Sequence, residues 1–281
     1  MPPPREYRAY LCDVEGVLVR DKSYRAVPGS VAWFNGLAGR GIAACLVSNN
    51  TTHRPDELID ALRAEGFAVA PEQLVTALEI GARLLAAWGK RRLLWLGAPA
   101  LAPWWLAQGF TLAAGPPAGG EQPAGPEPAA AEEPAPEAVV LGLDPGLSVA
   151  ALDRALVALL ADGVELIALH RNLFWLDAQG RRRLGPGAWC AALEEASGRQ
   201  AVVCGKPQER IYREALKRVG VPAPEALFIS DDPEADLVTA KRLGMGTAFV
   251  LSGKHPDHGA LGRLAQEEWP DVVCDRPDHV G

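Results

Sequence analysis

Short apolar runs alternate with amphipathic stretches along almost the whole of this chain, and that alternation limits its fold more than any other feature. The runs Ala9–Cys12, Ala43–Val47, Leu93–Leu96, Ala138–Leu141, Leu166–Leu169, Ala201–Cys204, Leu227–Ile229 and Thr247–Leu251 read as strands. Between them, Val149, Leu152, Leu156, Leu159 and Leu160 share a helical face. Ile211, Leu216 and Val219 do the same ahead of Gly220, a good helix stop. Strands alternating with helices predict an α/β fold on a parallel sheet.

The chain has 281 residues, 48% hydrophobic and 22% charged, enough to bury one large core or two modest ones. Its net charge of −7 gives no broad positive field for a nucleic-acid backbone. An anionic ligand must then be held locally, by a metal, a lysine or a helix N-terminus. No apolar run approaches the roughly 18 residues that span a bilayer, and the first residues do not read as a signal peptide. Cys12, Cys45, Cys204 and Cys274 sit in apolar runs and Cys190 stands apart, with no close metal-type pair. They read as small buried hydrophobes, which suits a reducing cytoplasm. Cytoplasmic localisation, with neither membrane nor nucleic-acid partner, is therefore expected. The stretch 115–137 contains only Gly, Pro, Ala, Glu and Gln and reads as a flexible insertion, with a short packed Pro-rich loop as the alternative.

Polar residues cluster just after four of the apolar runs. Asp13-Val14-Glu15-Gly16 follows the first, Ser48-Asn49-Asn50-Thr51 the second, Gly205-Lys206-Pro207 the run ending at Cys204, and Ser230-Asp231-Asp232 the run ending at Ile229. Asp236 lies a few residues further on. Singly, each has an ordinary reading as a turn, a cap or a surface lysine. Asp232 before Pro233 reads as a helix N-cap. Together they place four clusters at the strand-end edge where open α/β sheets bind ligands. Asp13 and Asp231 offer hard oxygen ligands for Mg²⁺, and Ser48 and Asn49 offer hydrogen bonds to phosphate. Lys206 offers a positive point charge. Asp236 suits either orienting a metal-bound water or holding Lys206. Asp13 as a nucleophile would split hydrolysis of a phosphate ester through an aspartyl phosphate, with Glu15 as acid and then base.

These residues resemble the haloacid dehalogenase superfamily. Ser48-Asn49-Asn50-Thr51, Gly142-Leu143-Asp144, Leu184-Gly185-Pro186-Gly187, Gly205-Lys206-Pro207 and Gly253-Lys254 narrow the likeness to its branch with a large α/β cap, which includes nucleotide-monophosphate and p-nitrophenyl phosphatases. Within that branch the chain resembles the phospholysine phosphohistidine inorganic pyrophosphate phosphatase-like proteins. The resemblance implies a Rossmann-like doubly wound parallel sheet core over 1–77 and 185–281, with a smaller α/β cap inserted over 78–184. It implies Mg²⁺ as cofactor, held by Asp13, the Glu15 carbonyl, Asp231 and Asp236. It also implies a small phosphorylated metabolite as substrate and raises a homodimer through the cap. Two residues depart from the family pattern: Glu15 stands where a second aspartate is expected, and Ser230 where glycine is usual.

The expected function is thus a Mg²⁺-dependent phosphatase. The alternative is a catalytically weak phosphate- or partner-binding protein of the same fold, for which Glu15 is the only support. A dinucleotide-dependent dehydrogenase is excluded because no G-x-G-x-x-G follows the first strand. His170, Arg171 and Asn172, after the run Leu166–Leu169, are candidates for contacting substrate, with a solvated loop as the alternative.

Overall fold

The computed structural model describes residues 6–20, 23–113, 134–176, 179 and 181–280. Its strands are β1 Ala9–Cys12, β2 Ala43–Ser48, β3 Leu74–Thr76, β4 Arg92–Leu96, β5 Thr111–Leu112, β6 Ala138–Leu141, β7 Glu165–Ala168, β8 Phe174–Leu176, β9 Arg182–Leu184, β10 Val202–Val203, β11 Ala226–Ser230, β12 Gly246–Val250 and β13 Val272–Cys274. The α-helices are α1 Ser30–Leu37, α2 Pro55–Ala64, α3 Ala77–Ala87, α4 Ala102–Ala107, α5 Val149–Leu159, α6 Pro186–Ser197, α7 Glu209–Val219 and α8 Val238–Arg242. The chain divides into two compact units. The first comprises Met1–Asn49, Pro55–Ala77 and Gly205–Gly281, and the second Asn50–Arg54 and Leu78–Cys204.

The first unit is built on a six-stranded parallel sheet in the order β13-β12-β11-β1-β2-β3. All of β1 is buried, and Ala9 to Cys12 pair residue for residue with Ala226 to Ile229 on one side and Ala43 to Leu46 on the other. A strand covered on both faces and paired on both edges tolerates only apolar side chains, which is why it reads as a plain apolar run. Leu46, Leu58, Leu62, Phe67 and Leu74 extend this core through α2 toward β3.

The second unit carries its own five-stranded parallel sheet, β10-β7-β6-β4-β5, and the antiparallel hairpin β8-β9. Three sequence expectations are corrected here. The run ending at Cys204 does not join the first sheet: Val202 and Val203 pair with Ile167 and Ala168 of β7. The boundary read at 184/185 falls instead after Cys204, because β10 completes the second sheet and α6 packs against α5. The apolar face read on α5 is also only partly buried. Ala151, Ala155 and Leu159 face the sheet, Leu152 and Leu156 are half-buried, and Val149 and Leu160 are exposed by 71% and 64%. Alanine lets the helix approach its sheet closely, so the small residues are buried and part of the larger stripe is left outside.

Of the stretch 115–137, residues 115–133 lie outside the described residues. At its end the Glu137 carboxylate accepts hydrogen bonds from the Arg91 and Arg92 amides at 2.6 and 2.9 Å. Among the described residues no helix is long and apolar enough to cross a membrane, and the five cysteines are free, with Cys274 half-buried and the rest buried.

The α5 assignment makes a contrast between neighbours. Leu159→Ala should destabilise the protein by about 2–5 kcal/mol, the usual cost of emptying a buried leucine site. Leu160→Ala should stay within about 0.5 kcal/mol. Urea unfolding of both variants checks this, and equal losses would contradict the assignment.

Candidate active site

Three polar clusters converge because β1, β2 and β11 are neighbours and all point the same way. Asp13 follows β1, Ser48 ends β2, and Ser230 ends β11 with Asp231 next. The fourth cluster arrives by another route. Lys206 follows a strand of the second sheet, and the Asn49 side chain holds its backbone. The Lys206 amide donates to Asn49 Oδ1 at 2.8 Å, and Asn49 Nδ2 donates back to the Lys206 carbonyl at 3.0 Å. This reciprocal amide clamp closes a sequence separation of 157 residues.

The clamp sets the Lys206 ammonium, which is almost fully buried, between two carboxylates: Asp13 Oδ2 at 2.8 Å and Asp236 Oδ2 at 2.7 Å. Asp13 Oδ1 accepts the Val14 amide at 2.8 Å, so both oxygens of this carboxylate are oriented. Asp236 comes from the first turn after β11. There Asp232 caps the helix, its Oδ1 accepting the Ala235 amide at 3.1 Å, as the Asp-Pro pair suggests. Asp236 is further tied by Ser230 Oγ, which donates to Oδ2 at 2.7 Å, and by the Tyr212 hydroxyl, which donates to its carbonyl at 2.9 Å. Of the two roles read for Asp236, the geometry carries the one that holds Lys206.

Asp231 is buried against the turn that follows Asp13. Its Oδ2 accepts the Lys254 amide at 2.5 Å. A side chain on Gly16 or Gly253 would place Cβ 2.0 Å from that oxygen, and Gly16 has φ +84°. Only glycine meets both demands at Gly16. Ser252 Oγ donates to the Gly16 carbonyl at 2.6 Å and binds the two loops together. Glu15 is half-buried in the same turn. Ser48 is fully buried at the end of β2. Ser252 and Tyr212 escaped the sequence reading because nothing in their local pattern marks them; each acts through a backbone carbonyl far away in the chain.

Several carboxylates surround the Lys206 ammonium. Burial pushes the Asp13 carboxyl well above the usual carboxylate range, and Asp236, Asp231 and Glu15 push the same way against Lys206. Asp231 is raised to about 7, first by burial and then by Asp236 and Asp232, while the Lys254 amide opposes the shift. Burial disfavours the Lys206 ammonium, but Asp13 and Asp236 outweigh it and hold the proton more tightly than in a free lysine. Strongly shifted groups gathered in one cluster make it a candidate functional site.

The sequence also matches known proteins. A haloacid dehalogenase-like hydrolase model matches residues 10–111, and a second model of HAD-hydrolase-like proteins matches residues 203–278. Human chronophin is 34% identical over 255 residues, spanning 86% of this chain and 80% of its own. The chain belongs to the haloacid dehalogenase-like hydrolases. Human haloacid dehalogenase-like hydrolase domain-containing protein 2 is 29% identical over 280 residues, spanning 98% and 95% of the two chains. Among solved structures, a p-nitrophenyl phosphatase from Archaeoglobus fulgidus superposes with a TM-score of 0.81 at 25% identity, covering 97% of each chain. A glycerol phosphate phosphatase from Mycobacterium tuberculosis, solved in complex with magnesium, gives 0.77 at 25% identity, covering 96% of this chain and 75% of its own.

The donor set of this hydrolase suits a hard cation. Asp13 and Asp231 present carboxylates in a cluster where burial, with neighbouring carboxylates adding to it, raises both carboxyl pKa values. Among the described residues no three His, Cys, Asp or Glu side chains gather as a metal-binding group. Mg²⁺ takes one or two carboxylates and keeps several waters, a requirement that the Asp13 and Asp231 carboxylates fit.

In the second unit His170 is buried, its Nε2 3.3 Å from Thr51 Oγ1, and its Nδ1 accepts the Asn172 amide at 3.4 Å. The Thr51 hydroxyl also accepts the Leu143 amide at 2.9 Å. Arg171 pairs with Glu194 at 2.5 Å, and Asn172 is exposed. The solvated-loop reading therefore fails for His170, which is packed.

Gly16→Ala tests the seat of Asp231. The methyl meets the carboxylate at 2.0 Å on a backbone with positive φ, so the variant should lose at least about 1–3 kcal/mol of stability. Chemical denaturation checks this, and a variant as stable as the parent would show that Asp231 does not lie against Gly16.

Proposed function

We propose that this enzyme is a Mg²⁺-dependent phosphatase that hydrolyses a small phosphorylated metabolite through an aspartyl phosphate on Asp13. The observation that carries the proposal is the Lys206 ammonium fixed between Asp13 and Asp236, beside Asp231, at the edge of a parallel sheet. Relatives whose names describe p-nitrophenyl phosphate and glycerol phosphate hydrolysis support the same chemistry.

Asp13 attacks phosphorus, the bond to the leaving oxygen breaks, and Glu15 gives that oxygen its proton. Glu15 then takes a proton from water, which attacks phosphorus, releasing inorganic phosphate and restoring the Asp13 carboxylate. The Ser48 hydroxyl and Asn49 bind the phosphate oxygens, Asn49 through its backbone because both ends of its side-chain amide hold Lys206. Lys206 neutralises charge on the phosphoryl group and on Asp13. Asp13, the Glu15 carbonyl and Asp231 would hold Mg²⁺, which would offset the repulsion between an anionic nucleophile and an anionic ester. Asp236 keeps Lys206 in place.

Asp13→Asn is nearly isosteric and a poor nucleophile. Mg²⁺-dependent release of phosphate from p-nitrophenyl phosphate should fall below detection while the circular dichroism spectrum is kept. Activity within about tenfold of the parent, or about 1.4 kcal/mol of barrier, would reject Asp13 as nucleophile.

Glu15 carries one methylene more than aspartate, so its reach is the critical quantity. Glu15→Gln should slow hydrolysis of alkyl phosphates by about 10²- to 10⁴-fold, the usual worth of general acid help. It should affect p-nitrophenyl phosphate far less, because p-nitrophenolate leaves with little protonation. Equal effects on both substrates would assign the acid role elsewhere.

A further inference from the structure

We infer that Ser230 is a positioning residue that locks Asp236 onto Lys206 and thereby sets the lysine beside the nucleophile. The inference rests on the phosphatase reading for its catalytic consequence, but its geometric content stands by itself. Ser230 ends β11, immediately before Asp231.

The hydroxyl is fully buried at the end of β11, where Ser230 pairs in register with Phe249 of β12, so its backbone is fixed. The oxygen accepts the Asp232 amide at 3.1 Å. A hydroxyl whose lone pair is taken by an amide turns its single proton elsewhere, and here that proton goes to Asp236 Oδ2 at 2.7 Å. The same oxygen receives the Lys206 ammonium at 2.7 Å. One carboxylate oxygen thus gathers a neutral and a charged donor from two segments of the chain, and its position is determined twice. The Asp232 amide, Ser230, Asp236, Lys206 and Asp13 form one continuous chain of hydrogen bonds ending at the nucleophile.

This chain matters most when Asp13 is phosphorylated. The Asp13 carboxylate then loses its own charge, and Asp236 is the carboxylate that still holds Lys206. An Asp236 carboxylate pinned by Ser230 keeps the ammonium where the phosphoryl group needs it during attack by water. With glycine at 230, Asp236 would lose this donor, and the lysine would follow a more mobile anchor.

Ser230→Ala, which removes the hydroxyl without adding volume, and Ser230→Gly test the inference against the parent and Asp236→Asn. With p-nitrophenyl phosphate and saturating Mg²⁺, kcat should fall about tenfold or more in both Ser230 variants, as for a lost hydrogen bond to a charged group. KM should change little, since binding of the ester is not the step affected. Adding Ser230→Ala to Asp236→Asn should cost nothing further, because the serine acts through that carboxylate. Unchanged kcat in Ser230→Ala, or penalties that multiply in the double variant, would overturn the inference. A crystal structure of Ser230→Ala decides the geometric claim whatever the turnover. The expected result is a rotated Asp236 carboxylate or a Lys206 ammonium no longer within hydrogen-bond reach of both partners, and an undisturbed Asp13–Lys206–Asp236 arrangement would overturn it. A parent without turnover would reject the phosphatase reading, while the crystallographic arm would still judge the role of Ser230.

Discussion

A buried ammonium between two carboxylates is the interaction on which this site depends. Taking Lys206, Asp13 and Asp236 out of water carries a large desolvation cost, and their mutual attraction recovers it only when the geometry is held closely. The surrounding structure is arranged to hold it. Asn49 fixes the Lys206 backbone, Ser230 and Tyr212 fix Asp236, and the Val14 amide orients Asp13. Removing the lysine alone would leave buried carboxylates facing one another. The same argument supports the affinity proposed for a divalent cation: burial, reinforced by neighbouring carboxylates, disfavours the charged forms of Asp231 and Asp13 even with the lysine in place.

The approach of Asp231 to Gly16 and Gly253 shows how backbone shape and charge are combined. The carboxylate occupies space that any side chain at either glycine would fill. It lies against the turn that follows Asp13 and receives a backbone amide from the loop after β12. A hard cation seated there would meet carboxylates already placed by the fold, with little reorganisation.

Much of this was legible in the sequence, and the parts that were not share one cause. Buried strands such as Ala9–Cys12 and Ala138–Leu141 carry a dense apolar pattern that marks them wherever they fall. The polar residues just beyond strand ends stand out for the same reason, so Asp13, Ser48, Lys206 and Asp231 could all be singled out. Pattern does not say which sheet a strand joins. The run Ala201–Cys204 reads as a strand of the same sheet as β1, whereas Val202–Val203 pairs with β7, and the Asn49 clamp that holds Lys206 leaves no local pattern. Pattern also undervalues small residues: Ala151 and Ala155 bury α5 while larger neighbours stay exposed. Ser230 was visible as a departure from the family pattern, but its partners are set by tertiary contact, and its hydroxyl acquires meaning only beside Asp236.

The central claim is that this arrangement makes Asp13 a nucleophile that is covalently phosphorylated during turnover. The most direct measurement is an acid quench during Mg²⁺-dependent turnover, followed by borohydride reduction and peptide mass spectrometry. An acyl phosphate on Asp13 would be reduced, leaving homoserine at position 13. The account predicts homoserine at that position in the turnover sample and its absence when substrate or Mg²⁺ is omitted. Steady turnover with no reduction at Asp13, or with reduction at another carboxylate, would contradict it.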